Sequence, residues 1–153
     1  MPQDKNILPP KNRLLLIVLI VFVILAGGGA AFLYFTRDWN APEQAKKLQN
    51  PVPATEDAID AGMMNYMNRC KSCHGENGDG KGERAEKLSI APSDFTDAHA
   101  MSLATDGELF WKISRGHRPM PGFQDKLSDQ ERWQLVDFIR TFAQKTGGAP
   151  KQK

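Results

Sequence analysis

Cys70-Lys71-Ser72-Cys73-His74 places two thiols three positions apart and an imidazole immediately after the second. Three chemistries use such a set. Thiols at that spacing reach the two vinyl groups of one haem and form thioether bonds, while the adjacent histidine ligates the iron from one face. A redox dithiol uses CxxC beside a βαβ pattern, and a structural zinc site uses CxxC as half of a four-ligand set. The whole chain of 153 residues holds two cysteines and three histidines. It has no second CxxC and no βαβ pattern, so the residues favour covalent haem attachment through Cys70 and Cys73, with His74 as an iron ligand. With both cysteines in one motif, a disulfide framework is excluded.

A second ligand to the iron would come from further along. Met120 lies in Gly116-His117-Arg118-Pro119-Met120-Pro121-Gly122-Phe123. A thioether there favours Fe(II) and raises the potential, although a methionine is more often a filler of apolar gaps. His117, three residues away, is the main rival and would lower the potential. His99, Met101, Met63, Met64 and Met67 are further candidates.

The segments around these residues begin with an apolar run. Leu14–Phe35 carries no charge; as a helix at about 1.5 Å per residue it spans about 33 Å, against a bilayer core of about 30 Å. Lys5, Lys11 and Arg13 precede it against Asp4, and Arg37 and Asp38 follow. The bias puts residues 1–13 in the cytoplasm and everything after 35 outside, with Tyr34 and Trp39 at the outer interface. The alternative is a cleaved signal peptide ending near the small residues Ala26–Ala31; the apolar Phe32–Phe35 beyond them favours a retained single-pass anchor at 14–35.

Residues 36–54, with Pro42, Pro51 and Pro53, read as a linker, in which Ala41–Leu48 is a candidate short helix. The domain is expected over 55–144 and a basic tail over 145–153, where Gly147-Gly148-Ala149-Pro150 ends the structure. Three helices are predicted. Glu56–Arg69 carries Ile59, Met63, Tyr66 and Cys70 on one face. Asp106–Arg115 is capped by Thr105 with Glu108 three residues on, and Gly116 stops it. Asp129–Phe142 has a Ser128/Glu131 capping box and a broad apolar face of Trp133, Leu135, Val136, Phe138, Ile139 and Phe142. Loops rich in Gly, Pro and Ser join them, with no convincing strand. So much loop leaves a thin core, which a large apolar cofactor would fill.

Over about residues 55–142 the chain resembles a class I cytochrome c. The shared features are Gly62 and Tyr66 before the CxxCH-Gly motif, a glycine-rich loop, Ala91-Pro92-Ser93-Asp94-Phe95, the Met120-Pro121 pair, and Leu135 and Phe138 on the last helix. The resemblance implies an all-α fold of three main helices around one covalent haem c, here preceded by a single transmembrane helix. It implies that Gly62 and Tyr66 meet Leu135 and Phe138, that Met120 is the distal ligand, and that the Pro92 carbonyl accepts from His74. Arg84, Lys87, Arg115, Arg118 and Trp111 are candidate propionate partners.

The functional expectation is a membrane-anchored mono-haem electron carrier on the periplasmic side of the inner membrane, not an enzyme in itself. It would pass single electrons between respiratory-chain components, as a tethered shuttle or as a subunit of a quinol-oxidising or oxidase complex. The alternative is a haem peroxidase or gas-sensing subunit with a displaceable sixth ligand. No small-molecule substrate is expected. A net charge of +2 argues against nucleic acid as a partner. Beyond Phe35 the chain holds 17 Lys and Arg against 17 Asp and Glu, so docking steered by a strong net charge is not expected.

Overall fold

The computed structural model describes residues 15–25 and 39–147. They belong to two units, Met1–Asp38 and Trp39–Lys153. In the first unit residues 15–25 are helical (α1). The rest of the expected anchor, the expected cytoplasmic segment 1–13 and residues 148–153 of the tail lie outside the described residues. Among the described residues no helix is long and apolar enough to cross a membrane.

The second unit contains α2 (Glu43–Lys46), α3 (Glu56–Arg69), α4 (Lys71–His74), a 3-10 turn (Ala85–Lys87), α5 (Ala98–Leu103), α6 (Asp106–Arg115) and α7 (Asp129–Gly147). Among the described residues there is no strand, and extended backbone pairs only at an isolated bridge between His117 and Met120. The main helices begin where side chains can take up free backbone N–H groups. Thr55 accepts from the Ala58 N–H at 3.3 Å, and Thr105 from that of Glu108 at 3.1 Å. At α7 the box is reciprocal: Ser128 Oγ accepts from Glu131 N at 3.2 Å and Glu131 Oε2 from Ser128 N at 2.8 Å. Glu108 instead pairs with Lys112 at 2.7 Å, so no return bond to Thr105 is seen. α7 continues past the expected domain end at 144.

The core forms where α3 meets α7. A side chain at Gly62 would put its Cβ 2.1 Å from the Gln134 carbonyl oxygen and 2.9 Å from Phe138 Cβ, so only glycine allows this approach. Tyr66 is fully buried, its ring 5.3 Å from that of Phe138 and 5.2 Å from that of Phe142. Leu135, also fully buried, joins the same cluster.

Two segments depart from the sequence expectation. From Trp39 onward the expected linker is part of the domain: Ala41 and Ala45 are buried, and Asn50 Nδ2 donates to Asp137 Oδ1 at 2.7 Å. A Cβ on Gly107 would lie 2.0 Å from the Ala45 carbonyl oxygen, so α2 sits directly on α6. Two alanines and a close backbone approach do this docking, and neither writes an apolar period into the sequence. The second is α5, where only loop was expected. Asp97 accepts from the Ala100 N–H at 3.0 Å, and six residues with one buried side chain, Met101, are too few for a periodic signal. Arg140 of α7 ties α5 and α6 together, donating to the Met101 and Ala104 carbonyls and to Asp106 Oδ1 at 2.8 Å.

Candidate functional site

Cys70 is the C-cap of α3, its N–H bonded to the Tyr66 carbonyl at 2.8 Å. The chain turns at once into α4, with the N–H groups of Cys73 and His74 both directed to the Cys70 carbonyl at 3.1 and 2.9 Å. Tyr66 Oη, buried, donates to the Gly75 carbonyl at 2.7 Å and so locks the end of the motif to α3. The glycine-rich loop then folds back along the motif. Gly80 N–H bonds to His74 O at 2.8 Å, Gly82 N–H to Cys73 O at 3.1 Å, and Arg84 N–H to Ser72 O at 2.8 Å. These bonds fix the cysteine and histidine backbones before any cofactor is considered.

His74 Nδ1 lies 3.3 Å from the Ser93 carbonyl oxygen, and its ring stacks on Phe95 at 4.7 Å and 18°. Burial lowers its pKa, partly opposed by the Ser93 bond. The neutral ring with its proton on Nδ1 leaves Nε2 free as a metal ligand, the arrangement that orients a ligating histidine. The expected acceptor was the Pro92 carbonyl; the structure gives Ser93, one residue on. The Pro92 carbonyl turns instead to the loop, where a Cβ on Gly80 would lie 2.8 Å from it. Burial also pushes the Cys70 thiol up to about 12. That shift is opposite to what a redox-active CxxC uses, and among the described residues there is no strand to form the βαβ setting of such a dithiol. Among the described residues no group of three or more His, Cys, Asp and Glu could hold a metal ion, so the half zinc site finds no second half.

Met120 sits in a tight hairpin. His117 N–H bonds to Met120 O at 2.9 Å and Met120 N–H to His117 O at 2.8 Å, across a cis Arg118–Pro119 peptide. The neck of the hairpin is pinned to the end of α6. Gly116 has a φ of 63°, and a Cβ there would lie 2.2 Å from Gly122 N. Phe123 N–H bonds to Ile113 O at 3.0 Å and Gln124 N–H to Ser114 O at 3.2 Å.

The motif and the hairpin line one open cleft, shared by Cys70, Cys73, His74, Pro92 and Met120. Leu88, Ile90, Pro121 and Phe123 supply apolar wall. Two thiols, an imidazole and a thioether on one largely apolar cleft are the donor set of a covalently held, axially ligated haem. The residues therefore fit that group.

The other sequence candidates separate clearly. His117 and Arg118 line the cleft. Met101 is buried in the core, Met67 packs partly buried against it, and Met63, Met64 and His99 are exposed; none of them lines the cleft. Of the remaining candidate propionate partners, Arg84, Lys87, Arg115 and Trp111 do not line it either. Sequence reasoning singled out neither Arg69, Leu88, Ile90 nor Ser93 for the cleft, and it placed Trp39 elsewhere. Arg69 could have been found from its place directly before Cys70. Trp39 had no such signal; its ring lies 6.3 Å from that of Trp111 and 5.0 Å from that of His117.

The family model described as cytochrome C oxidase, cbb3-type, subunit III matches residues 57–139. Among solved structures the chain is similar to the Kuenenia stuttgartiensis reducing HAO-like protein complex Kustc0457/Kustc0458, at 29% identity and a TM-score of 0.54. That match covers 63% of this chain and only half, 50%, of the other. It is also similar to the KustC0563 c-type cytochrome, at 32% identity and a TM-score of 0.48, over 53% of this chain and 95% of that one. No curated protein matches.

Proposed function

Because the chain belongs to the cbb3-type cytochrome c oxidase subunit III family, and with it to the class I c-type cytochromes that bind haem c covalently, we propose that it carries single electrons between respiratory-chain components. The observation that carries this reading is the one cleft lined by Cys70, Cys73, His74 and Met120. Haem bound there supplies one-electron chemistry at its iron. Cys70 and Cys73 would hold it by thioethers, and His74, its tautomer fixed by the Ser93 carbonyl, and Met120 would ligate the iron. With His74 and Met120 as its two protein ligands, the iron would offer no open position to a substrate. Leu88 and Phe123 would give the group apolar wall, which tunes its potential.

The chain is anchored by Leu14–Phe35 in the inner membrane, with the haem domain on the periplasmic side. An anchor ending at Phe35 leaves residues 36–38 between it and the domain, which begins at Trp39. So short a tether supports a fixed subunit of an oxidase or quinol-oxidising complex over a wide-ranging shuttle. The similarity to a protein described as part of a reducing HAO-like complex supports a complex subunit as well.

Visible and near-infrared spectroscopy of the purified holoprotein tests the reading. A six-coordinate low-spin ferric spectrum with the methionine–iron charge-transfer band is expected. A high-spin spectrum that responds to peroxide or carbon monoxide would favour the peroxidase or gas-sensing alternative. Fractionation of cells and protease access from the periplasmic side test the anchor.

A further inference from the structure

We propose that Trp39 is a positioning residue that holds His117 off the haem iron and so reserves the sixth position for Met120. The inference rests on the reading of Met120 as the distal ligand and adds what keeps it there.

His117 and Met120 are a directly opposed pair that exchanges both backbone hydrogen bonds, at 2.9 and 2.8 Å. The side chains of such a pair leave the backbone on the same face, and both line the cleft. The hairpin therefore presents two competent iron ligands side by side. An imidazole is the harder donor and suits Fe(III), whereas a thioether favours Fe(II). Without a restraint, the oxidised protein has reason to prefer His117.

Trp39 supplies the restraint. Its indole meets the imidazole at 5.0 Å between ring centroids, tilted by 52°. The indole is itself held by α6: Trp111 lies 6.3 Å away and Lys112 Nζ sits 5.8 Å over its ring, the lysine being anchored to Glu108 at 2.7 Å. Behind it, Ala41 and Ala45 are buried and α2 rests on Gly107. Trp39 is thus the leading residue of a docked segment, and it also lines the cleft. The exchange it prevents is simple: the Met120 sulfur leaves the iron and a His117 ring nitrogen takes its place, with no change in oxidation state.

The test uses the full-length holoprotein in its ferric form, read by near-infrared absorption and magnetic circular dichroism and by potentiometry. The wild type should show the methionine–iron band. Trp39→Ala should lose most of it, gain a bis-histidine signature and show a lower midpoint potential. Trp39→Leu, which keeps apolar volume without a ring face, carries the same expectation should the alanine variant fold poorly. Trp39→Phe should retain the band, and Trp39→Ala/His117→Ala should recover it. Retention of the band and potential in both the alanine and leucine variants overturns the proposal. So does failure of the double variant to recover the band, which would make Trp39 a general packing residue. Absence of the band in the wild type overturns the Met120 reading itself, and that result is distinct from the other two.

Discussion

His74 directs Nδ1 at the Ser93 carbonyl oxygen, 3.3 Å away, while Phe95 stacks on the same ring two residues further on. One short segment thus fixes both the tautomer and the tilt of the His74 imidazole. The segment is fixed in turn, since Phe95 N–H bonds to Gly78 O at 2.7 Å in the loop that follows the motif. The hairpin opposite in sequence is anchored separately, on the end of α6. Two separately braced segments bring His74 and Met120 to one cleft, so on the proposed ligation replacing either should change the iron's ligands more than the fold.

Met120→Ala should therefore leave a folded, haem-bearing protein. The methionine–iron charge-transfer band should disappear, and the midpoint potential should fall by on the order of 0.1 V, a fraction of the roughly 0.8 V that axial ligands command. Potentiometry together with near-infrared spectra checks both. An unchanged spectrum and potential would exclude Met120 as the ligand.

Gly62→Ala should be among the costliest single changes in the domain. The added methyl would fall 2.1 Å from a backbone oxygen of α7, which cannot rotate out of the way. Overpacking costs about 1–3 kcal/mol in typical cores, and the upper end, about 3 kcal/mol, is expected here. Urea unfolding of holoprotein gives the number; a loss under 1 kcal/mol would mean that α3 and α7 part easily.

Much of this was legible in the sequence, for definite reasons. CxxCH names its chemistry because the spacing matches the cofactor, and the bounds of α3 and α6 follow from Thr55, Thr105 and Gly116. The pairing of Gly62 and Tyr66 with α7 was implied by family resemblance and is seen at Phe138. What could not be read lacks a local signal. The docking of residues 39–54 depends on Ala41, Ala45 and an Asn50–Asp137 bond that joins positions remote in the chain. The choice of Ser93 over Pro92 turns on which way one peptide faces, and no residue type records that.

Arg140→Ala should loosen α5 without touching the cleft. The guanidinium serves two carbonyls that end or follow α5, and it pairs with Asp106 at 2.7 Å. Hydrogen bonds to charged groups contribute about 1.5–3 kcal/mol each before non-additivity; with the site partly exposed, a net loss of about 2 kcal/mol is expected. Hydrogen exchange should rise first at Met101–Leu103, with the haem spectrum unchanged.

Electron transfer to a partner should depend weakly on salt. The 17 basic and 17 acidic residues after Phe35 balance, so no large net field steers encounter, and the Debye length of about 8 Å at physiological ionic strength leaves only local pairs. Stopped-flow oxidation across a range of ionic strength tests this; a steep fall in rate would reveal a charged docking patch that the net balance conceals.

Asp137 should make the domain more stable in mild acid. Its carboxyl is raised from 3.8 to about 6, first by burial and then by the nearby Asp106, against the Asn50 bond. Its Oδ2 is buried and, among the described residues, has no hydrogen-bond partner. A carboxyl raised on folding favours the protonated native state. Its stabilising contribution is full below the unfolded pKa near 4 and disappears as pH rises through about 6. Denaturation midpoints measured from pH 4 to pH 8, taken relative to those of Asp137→Asn, should fall across that window. Asp137→Asn, uncharged at every pH, should flatten the fall and raise stability at pH 7 and above, with the haem spectrum unaltered. A variant that unfolds earlier than wild type at pH 8 would show that the ionised carboxylate is instead held favourably by Asn50.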